Sequence, residues 1–216
     1  RNVYKKYKET YALKNINLDI MSSEFVFLTG SSGAGKSTLL RILSGFYAAD
    51  CGEVILNGLN LDTNRLSVLQ QIGYVQEISA LYPEMKVYEF LCFVADIRQL
   101  PVETKISQIK TVIAALELTD VLNQKSETLS KGYKKRVELA AMLISEPAVL
   151  LLDEPTEGLD PNQKHALRQI IKQYAKTHMV IISTHTLEDV EALASRVLLL
   201  HKGNLEADSE LKTFKK

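Results

Sequence analysis

Cysteine, net charge and long apolar runs are all scarce in this sequence of 216 residues, and each scarcity narrows the possible functions. The two cysteines, Cys51 and Cys92, lie far apart without metal-ligand spacing, so we expect a reducing compartment and ordinary packing roles for both. Lys and Arg total 26 and balance 26 Asp and Glu, which gives no support for bulk attraction to nucleic acid or to a membrane surface. No apolar run approaches the roughly 20 residues that cross a bilayer, and no signal peptide is recognisable, so any membrane part is expected on another chain.

The apolar pattern predicts an α/β domain. Apolar residues make up 46% of the chain, enough for a sizeable core, and the length suits one large domain or a domain with a small lobe. Before residue 30 we expect strands, with an alternating one at 15–20 and a buried one at 25–28. A hairpin that turns at Asn57-Gly58 and a short strand at 72–75 are expected next.

A block of helices is predicted to interrupt this pattern. Helices are expected at 87–97, before Pro101, at 102–118, where apolar residues recur close to every 3.6 positions, and from the N-cap Ser130 onward, where apolar residues share one face. From residue 148 onward strands are expected to alternate with helices. The strands are expected at 148–152, 179–183 and 197–200, the last strand of the chain, and the helices after Asp160-Pro161 and at 187–194. Such alternation implies a parallel sheet, so the helical block is interpreted as an inserted subdomain.

A phosphate-binding loop follows the buried strand at 25–28. The stretch Gly30-Ser31-Ser32-Gly33-Ala34-Gly35-Lys36-Ser37-Thr38 fits G-x-x-x-x-G-K-[ST] and precedes a helix-like run. Glycines let successive N–H groups point at phosphate oxygens, and the helix that follows adds the positive end of its dipole. Lys36 is predicted to reach the β- and γ-phosphates and the Ser37 hydroxyl to bind Mg²⁺. The alternative, a Gly/Ser-rich turn that matches by chance, does not explain the strand and helix on either side.

Two carboxylates end the apolar strand before Pro155. Ligands of open α/β sheets bind at the carboxyl ends of strands, so Asp153 is predicted to lie near the phosphate loop and to hold Mg²⁺. Glu154 is positioned to polarise an attacking water. The alternative is a strand that simply ends in a polar turn.

Weaker signals lie at two other strand ends. His185 follows the strand at 179–183 and is a candidate hydrogen-bond donor to the γ-phosphate, although a lone His there is often an ordinary loop residue. Gln76 follows the strand at 72–75, and its amide oxygen suits Mg²⁺ or the attacking water.

The segment Leu129-Ser130-Lys131-Gly132-Tyr133 predicts a second anion site at a helix start. Ser130, the Gly132 N–H and the helix dipole provide it, and an ordinary helix cap would use the same atoms. The basic cluster that follows is interpreted as a solvated helix face rather than a nucleic-acid patch; its members are Lys131, Lys134, Lys135 and Arg136.

Together and in this order, these segments resemble the ATP-binding subunit of ABC transporters over essentially the whole chain. The phosphate loop matches Walker A, the strand ending in Asp153 and Glu154 matches Walker B with its catalytic glutamate, and 129–133 matches the family signature, usually LSGGQ. Gln76 matches the Q-loop glutamine, His185 the switch histidine, and Gly158-Leu159-Asp160 the D-loop. Tyr7 lies where the family places an aromatic that stacks on adenine, with Tyr11 as the less favoured candidate.

Two residues depart from the family signature. Lys131 and Tyr133 replace its consensus Gly and Gln, while Ser130 and Gly132, which face the phosphate, remain. LSKGY followed by Lys134-Lys135-Arg136 resembles the ABC-2 class of exporter ATPases, and 81–87 has a similar pattern. The opening through residue 43 also resembles the cell-division ABC ATPase, which acts on a membrane partner without obvious transport.

The resemblance implies one ABC ATPase domain over 1–216: a P-loop NTPase α/β fold with a parallel-sheet core, an N-terminal antiparallel β region and an inserted helical subdomain. Residues 1–75 and 148–216 would form the catalytic core, and 76–147 the Q-loop and helical subdomain. Two ATP molecules with Mg²⁺ would be sandwiched in a head-to-tail dimer, each site combining Lys36, Ser37 and Asp153 of one chain with Ser130 and Gly132 of the other, and Asp160 nearby.

The resemblance also implies partners and a location. The dimer would power or gate a polytopic membrane subunit from the cytoplasmic face of the cell membrane, most readily an exporter, without binding nucleic acid. A regulatory ABC protein of the cell-division type, with little turnover or transport, is the alternative. A non-transport ABC ATPase is a further one, but such proteins tend to carry long coiled coils or two ATPase domains.

Overall fold

The computed structural model describes residues 1–78, 80–185 and 195–214. Its strands are β1 (Val3–Tyr7), β2 (Thr10–Ile16), β3 (Phe25–Thr29), β4 (Ile55–Leu56), β5 (Leu59–Asn60), β6 (Ile72–Val75), β7 (Val149–Asp153), β8 (Met179–Ser183), β9 (Arg196–His201) and β10 (Asn204–Glu210). Its α-helices are α1 (Lys36–Leu43), α2 (Arg65–Leu69), α3 (Val87–Ile97), α4 (Val102–Ala115), α5 (Lys131–Leu143), α6 (Pro161–Tyr174) and α7 (Leu211–Phe214). Two short 3₁₀ turns, Thr119–Val121 and Ser126–Thr128, precede α5.

The central sheet of the described residues has six strands in the order β10-β9-β3-β8-β7-β6. All neighbouring pairs are parallel except β9 with β10, so the predicted parallel core is confirmed. β1 and β2 form an antiparallel pair, which confirms the predicted N-terminal antiparallel region. β4 and β5 form the hairpin expected at Asn57-Gly58.

The two faces of this sheet bury two different sets of apolar side chains. Leu150, Leu152 and Ile182 pack on one face with helices α3 to α6, whereas Leu151 and Ile181 pack on the other with α1. Successive side chains of a strand point to opposite faces, so strands covered on both sides read as continuous apolar runs. The buried strands therefore form where the sequence predicted them.

Three helices, α3, α4 and α5, follow β6 and precede β7 in the chain. They pack against one another, and this confirms the predicted helical block. α3 has the predicted bounds, while α4 ends at Ala115 rather than at residue 118, and Ile106, expected on its apolar face, is 58% exposed. The longest described helices have 14 residues, and no helix among the described residues is both long and apolar enough to cross a bilayer.

The alternating strand predicted at 15–20 is wrong, because β2 runs from Thr10 to Ile16 and the chain then leaves the strand. Asn17 accounts for this: its amide donates to the carbonyl of Asn15 at 3.0 Å and accepts from the N–H of Asn2 at 2.9 Å. Side-chain hydrogen bonds of this kind compete with a strand ladder.

Three further expectations differ from the structure. The strand at 197–200 is not the last, because β10 adds an antiparallel edge strand. The short helix α2 was not anticipated. Cys51 is exposed, so the packing role expected for it is wrong, whereas Cys92 is half-buried. The helix predicted at 187–194 lies outside the described residues.

We expect Leu151→Ala to lower the free energy of unfolding by about 2–5 kcal/mol, because Leu151 is 1% exposed at the centre of β7 and its removal leaves a cavity. Leu66→Ala is the matched control: Leu66 is 80% exposed, and the change should stay within about 0.5 kcal/mol. Urea unfolding followed by circular dichroism measures both, and equal midpoints for the two variants would contradict the assignment of the core.

Candidate functional site

Three neighbouring parallel strands end side by side at one edge of the sheet. Ser183 of β8 is in register with Leu28 of β3 and with Asp153 of β7. The phosphate loop follows β3, Glu154 follows β7, and His185 lies two residues beyond β8. The topology therefore brings the three predicted groups to a single edge, as expected for parallel strands.

The phosphate loop has the backbone that an anion requires. Gly33 and Gly35 have φ of 74° and 111°, a region that favours glycine. A Cβ on Gly35 would also collide with the carbonyl oxygen of Ala12 in β2. Helix α1 begins at Lys36, and no side chain caps it. Its first N–H groups therefore point into the loop without an intrahelical partner and suit phosphate oxygens.

Lys36 folds back over the loop. Its Nζ donates to the carbonyl oxygens of Gly30 at 2.8 Å and Ser31 at 3.2 Å. The ammonium group thus lies over the backbone of the phosphate loop, and its contact with the β- and γ-phosphates stays a prediction.

Asp153 is 1% exposed and is surrounded by hydroxyl donors. Its Oδ1 accepts from Ser183 Oγ at 2.6 Å and from Ser37 Oγ at 3.1 Å. The hydroxyl of Tyr74 in β6 donates to Oδ2 at 3.4 Å. Burial, and then the charge of Asp153, raises the pKa of Tyr74 to about 12, so the phenol stays protonated and donates.

Ser37 and Asp153 fit a magnesium ion. A carboxylate and a hydroxyl oxygen 3.1 Å apart, beside the phosphate loop, are the hard oxygen ligands that Mg²⁺ binds together with phosphates. The sequence did not single out Ser183 or Tyr74. Their positions at the end of β8 and near the end of β6 are the signal that could have found them, since both strands flank β7.

Glu154 and His185 form a pair at the mouth of the site. His185 Nδ1 lies 3.1 Å from Glu154 Oε2, and the side chains are 61% and 13% exposed. Glu154 has φ of 47°, and its N–H donates to Ser183 Oγ at 3.1 Å. Burial raises the pKa of Glu154, while the contact with His185 and the charge of Lys36 act in the opposite direction.

A cavity of about 480 Å³ joins these groups. It is lined by Tyr7, Ala12, Ser32, Gly33, Ala34, Gly35, Lys36, Ser37, Thr38, Glu77, Glu154, Glu157 and His185. Tyr7 is 44% exposed and packs edge-on against Tyr47, with ring centroids 6.4 Å apart, so it presents a ring at the cavity wall. Glu77 and Glu157 line this cavity and were not anticipated.

Gln76, a predicted magnesium ligand, does not line this cavity. It borders a small neighbouring space beside Phe90 and Glu138, and its backbone oxygen accepts from Lys135. The structure places it one residue from Glu77, at the edge of the site. Its role as a ligand stays a prediction.

Ser130, Gly132 and Asp160 also lie outside this cavity. Ser130 Oγ accepts from the N–H of Tyr133 at 3.3 Å and caps α5, and Asp160 accepts from the N–H of Gln163 at 2.9 Å and caps α6. Both predicted caps are confirmed. Gly132 is buried, and a Cβ there would lie 2.7 Å from Gln163 of α6. The signature segment therefore packs on the start of α6 rather than on the phosphate loop of its own chain.

The interpretation of the basic cluster as a solvated helix face is wrong for Lys135. Its side chain is only 4% exposed, and its Nζ donates to the backbone oxygens of Gln76 at 2.9 Å and Glu77 at 2.7 Å. Arg136 is half-buried and pairs with Glu117 at 2.6 Å. The carbonyls that bind Lys135 lie in a loop distant in sequence, which local patterning does not show.

Sequence comparisons connect this geometry to known proteins. A family model described as ABC transporter matches residues 13–157. Curated relatives are the spermidine/putrescine import ATP-binding protein PotA of Clostridioides difficile, 33% identical over 95% of the chain, and the linearmycin resistance ATP-binding protein LnrL of Bacillus subtilis, 32% identical over 95%. ABC transporter A family member 8 of Dictyostelium discoideum is 33% identical over 91%. The chain spans 60%, 67% and 23% of these three relatives.

Solved structures agree with these relatives. The dimeric structure of MJ0796, a bacterial ABC transporter cassette, matches with a TM-score of 0.89 and 28% identity, covering 98% of this chain and 97% of that one. A post-hydrolysis state of the same cassette, bound to ADP and Pi, matches with the same TM-score. The ABC ATPase fold predicted from the sequence is confirmed, and so are the ATPase class and the use of ATP with Mg²⁺. Because the family model covers more than half of the residues and includes the phosphate loop, Asp153 and Glu154, this chain belongs to the ABC transporter family as an ATP-binding domain.

Proposed function

We propose that this domain hydrolyses ATP within a dimer of two such chains and thereby drives a separate membrane-spanning partner of the exporter type. The observation that carries the proposal is the position of Ser130 and Gly132 outside the nucleotide cavity of their own chain. A second chain can bring its exposed Ser130 to that cavity, and the dimeric MJ0796 cassette offers a precedent of the same fold. Residues 1–75 and 148–216 form the catalytic core of the proposed domain, and 76–147 its Q-loop and helical subdomain.

In this proposal the phosphate loop from Gly30 to Thr38 and the ammonium group of Lys36 bind the triphosphate, and Tyr7 stacks on the adenine ring. Ser37 and Asp153, with Gln76 at the edge of the site, hold Mg²⁺, which when bound offsets the charge of the phosphates. Ser130 and Gly132 of the second chain contact the γ-phosphate, with Asp160 beside them. Closure of the dimer then depends on ATP, and hydrolysis releases it.

Glu154 acts as the general base toward the attacking water. Burial raises its pKa, and a base with a raised pKa takes a proton more readily, provided that it is still ionised at working pH. His185, with Nδ1 3.1 Å from Oε2, favours the ionised form and fixes the direction of the carboxylate. The His185 side chain as a whole is 61% exposed, so it is accessible to the γ-phosphate.

The class of the membrane partner is inferred from the signature segment and from the names of the relatives. Lys131 and Tyr133 in the signature favour the exporter class, and LnrL is named for resistance, but PotA is named for import. The domain would then lie on the inner face of the membrane through its partner. Purification of the tagged chain from membranes tests this: a polytopic partner of exporter architecture supports the proposal. Co-purification of an importer partner would contradict the proposal. So would an ATPase that purifies without any membrane protein, which is the result expected for a non-transport role.

We expect Glu154→Gln to bind MgATP with unchanged affinity, to lose hydrolysis and to form a stable dimer, because the sandwich assembles but water is not activated. Light scattering with and without MgATP measures the dimer, and Lys36→Ala is the control that should neither bind tightly nor dimerise. A Glu154→Gln protein that stays monomeric at saturating MgATP would contradict the proposed sandwich.

The pH dependence of kcat should report Glu154. Because burial raises its pKa, activity should fall on acidification at a higher pH than an ordinary glutamate would give. His185→Ala removes a contact that lowers this pKa, so the acidic limb should move to still higher pH when each profile is scaled to its own maximum. An acidic limb at the same pH in wild type and His185→Ala would show that the limb belongs to another group.

Mixing two inactive chains tests whether each site is shared. Lys36→Ala destroys the phosphate loop and Ser130→Phe obstructs the signature, so a mixed dimer keeps one intact site. In the mixture part of the wild-type turnover should return, at most about half of it, because each mixed dimer has one intact site of two and neither variant alone has any. Each variant alone is the control. No recovery, with both chains folded and shown to exchange, would argue against a site built from two copies.

A further inference from the structure

A charged pair is buried inside the helical block. Lys135 and Glu138 lie one turn apart on α5, their side chains are 4% and 8% exposed, and Lys135 Nζ lies 3.6 Å from Glu138 Oε2. Burying two charges is unfavourable, and apolar side chains of similar size would usually serve a helix core as well or better. Packing alone therefore does not account for the pair.

Both side chains form hydrogen bonds with the backbone of the loop that follows β6. Lys135 donates to the backbone oxygens of Gln76 at 2.9 Å and Glu77 at 2.7 Å. Glu138 Oε1 accepts from the N–H of Ala80 at 2.8 Å. Three backbone groups of the loop after β6 are thus bound to two adjacent turns of α5, among the residues that the structure describes there. We call these two side chains the loop clamp.

The loop clamp lies between two parts of the proposed site. Glu77 lines the nucleotide cavity and Gln76 lies at its edge. The helix that carries the clamp is capped by Ser130, the residue expected to contact the nucleotide of the second chain. Only one turn of α5 separates Ser130 from Lys135. The signature end of α5 and the backbone of Gln76 and Glu77 are therefore joined through Lys135.

We propose that Lys135 and Glu138 are positioning residues for ATP hydrolysis. They fix Gln76 and Glu77 relative to α5. When Ser130 docks on the nucleotide of the second chain, the clamp therefore sets the geometry of Gln76 and Glu77 at the nucleotide site of its own chain. The inference rests on the proposed dimeric ATPase. It predicts an effect on turnover and on its Mg²⁺ dependence, with none on the phosphate loop itself.

The test uses Lys135→Met and the charge-free pair Lys135→Met/Glu138→Met. The second variant leaves no unpaired buried charge, so it keeps the inference testable should Lys135→Met alone fail to fold. In the charge-free pair kcat should fall about tenfold or more, because small misplacement of a site group has large effects on rate. The Mg²⁺ concentration for half-maximal turnover should rise, ATP affinity should stay within about twofold, and amide exchange at Ala80 should accelerate.

A double-mutant cycle shows whether the clamp acts through the glutamine. If it does, the charge-free pair should add little to the loss of kcat already caused by Gln76→Ala. Full additivity, with the two effects simply multiplying, would overturn the positioning role. So would wild-type kcat and Mg²⁺ dependence in a folded charge-free pair.

The matched control is Lys105→Met/Asp96→Asn, which removes an ion pair between α4 and α3, away from the loop. It should leave kcat and Mg²⁺ dependence unchanged, and an equal loss there would overturn the inference by showing a general effect of subdomain stability. Failure of the underlying function looks different: wild type itself would not hydrolyse ATP. If wild type hydrolyses ATP and the clamp substitutions leave turnover unchanged, only the inference is overturned.

Discussion

One buried carboxylate constrains how the site edge of the sheet is assembled. Asp153 is 1% exposed, and a buried charge is tolerated only where donors surround it. Those donors come from α1, β6 and β8, in the form of Ser37, Tyr74 and Ser183. Helix α1 must therefore begin, and strands β6 and β8 must end, at the level where β7 ends. The same requirement brings the phosphate loop and Glu154 together. The placement of elements that provides hydrogen bonds to Asp153 is therefore also the placement that assembles the site.

The site residues with local signals were predictable from the sequence. Glycine spacing specifies the phosphate loop, an apolar run ending in carboxylates specifies Asp153 and Glu154, and Ser130 and Asp160 are recognisable caps because their partners lie three residues on. The surroundings of Lys135 were not predictable. Its acceptors lie 59 and 58 positions away, so a lysine within a basic run looks the same whether it is solvated or buried.

The same division holds for the fold. Strands covered on both faces are continuous apolar runs, and they were located correctly. β10 was missed because an antiparallel edge strand needs no buried face, and its residues alternate between half-buried and exposed. The strand expected at 15–20 failed for the opposite reason: its alternation is present, but Asn17 binds Asn15 and Asn2 instead of a neighbouring strand.

The position of Lys36 has an energetic consequence for nucleotide entry. Two of its three ammonium hydrogens are already used by the carbonyls of Gly30 and Ser31. Phosphate capture at this lysine is therefore a ligand-exchange reaction, in which neutral acceptors are replaced by anionic ones. Charged acceptors give hydrogen bonds roughly twice as strong as neutral ones, so replacement of the carbonyls by phosphate oxygens is favourable. The binding affinity reports only the difference in strength between these two sets of hydrogen bonds. The carbonyls of Gly30 and Ser31 are thus internal competitors that an anion has to displace from Lys36.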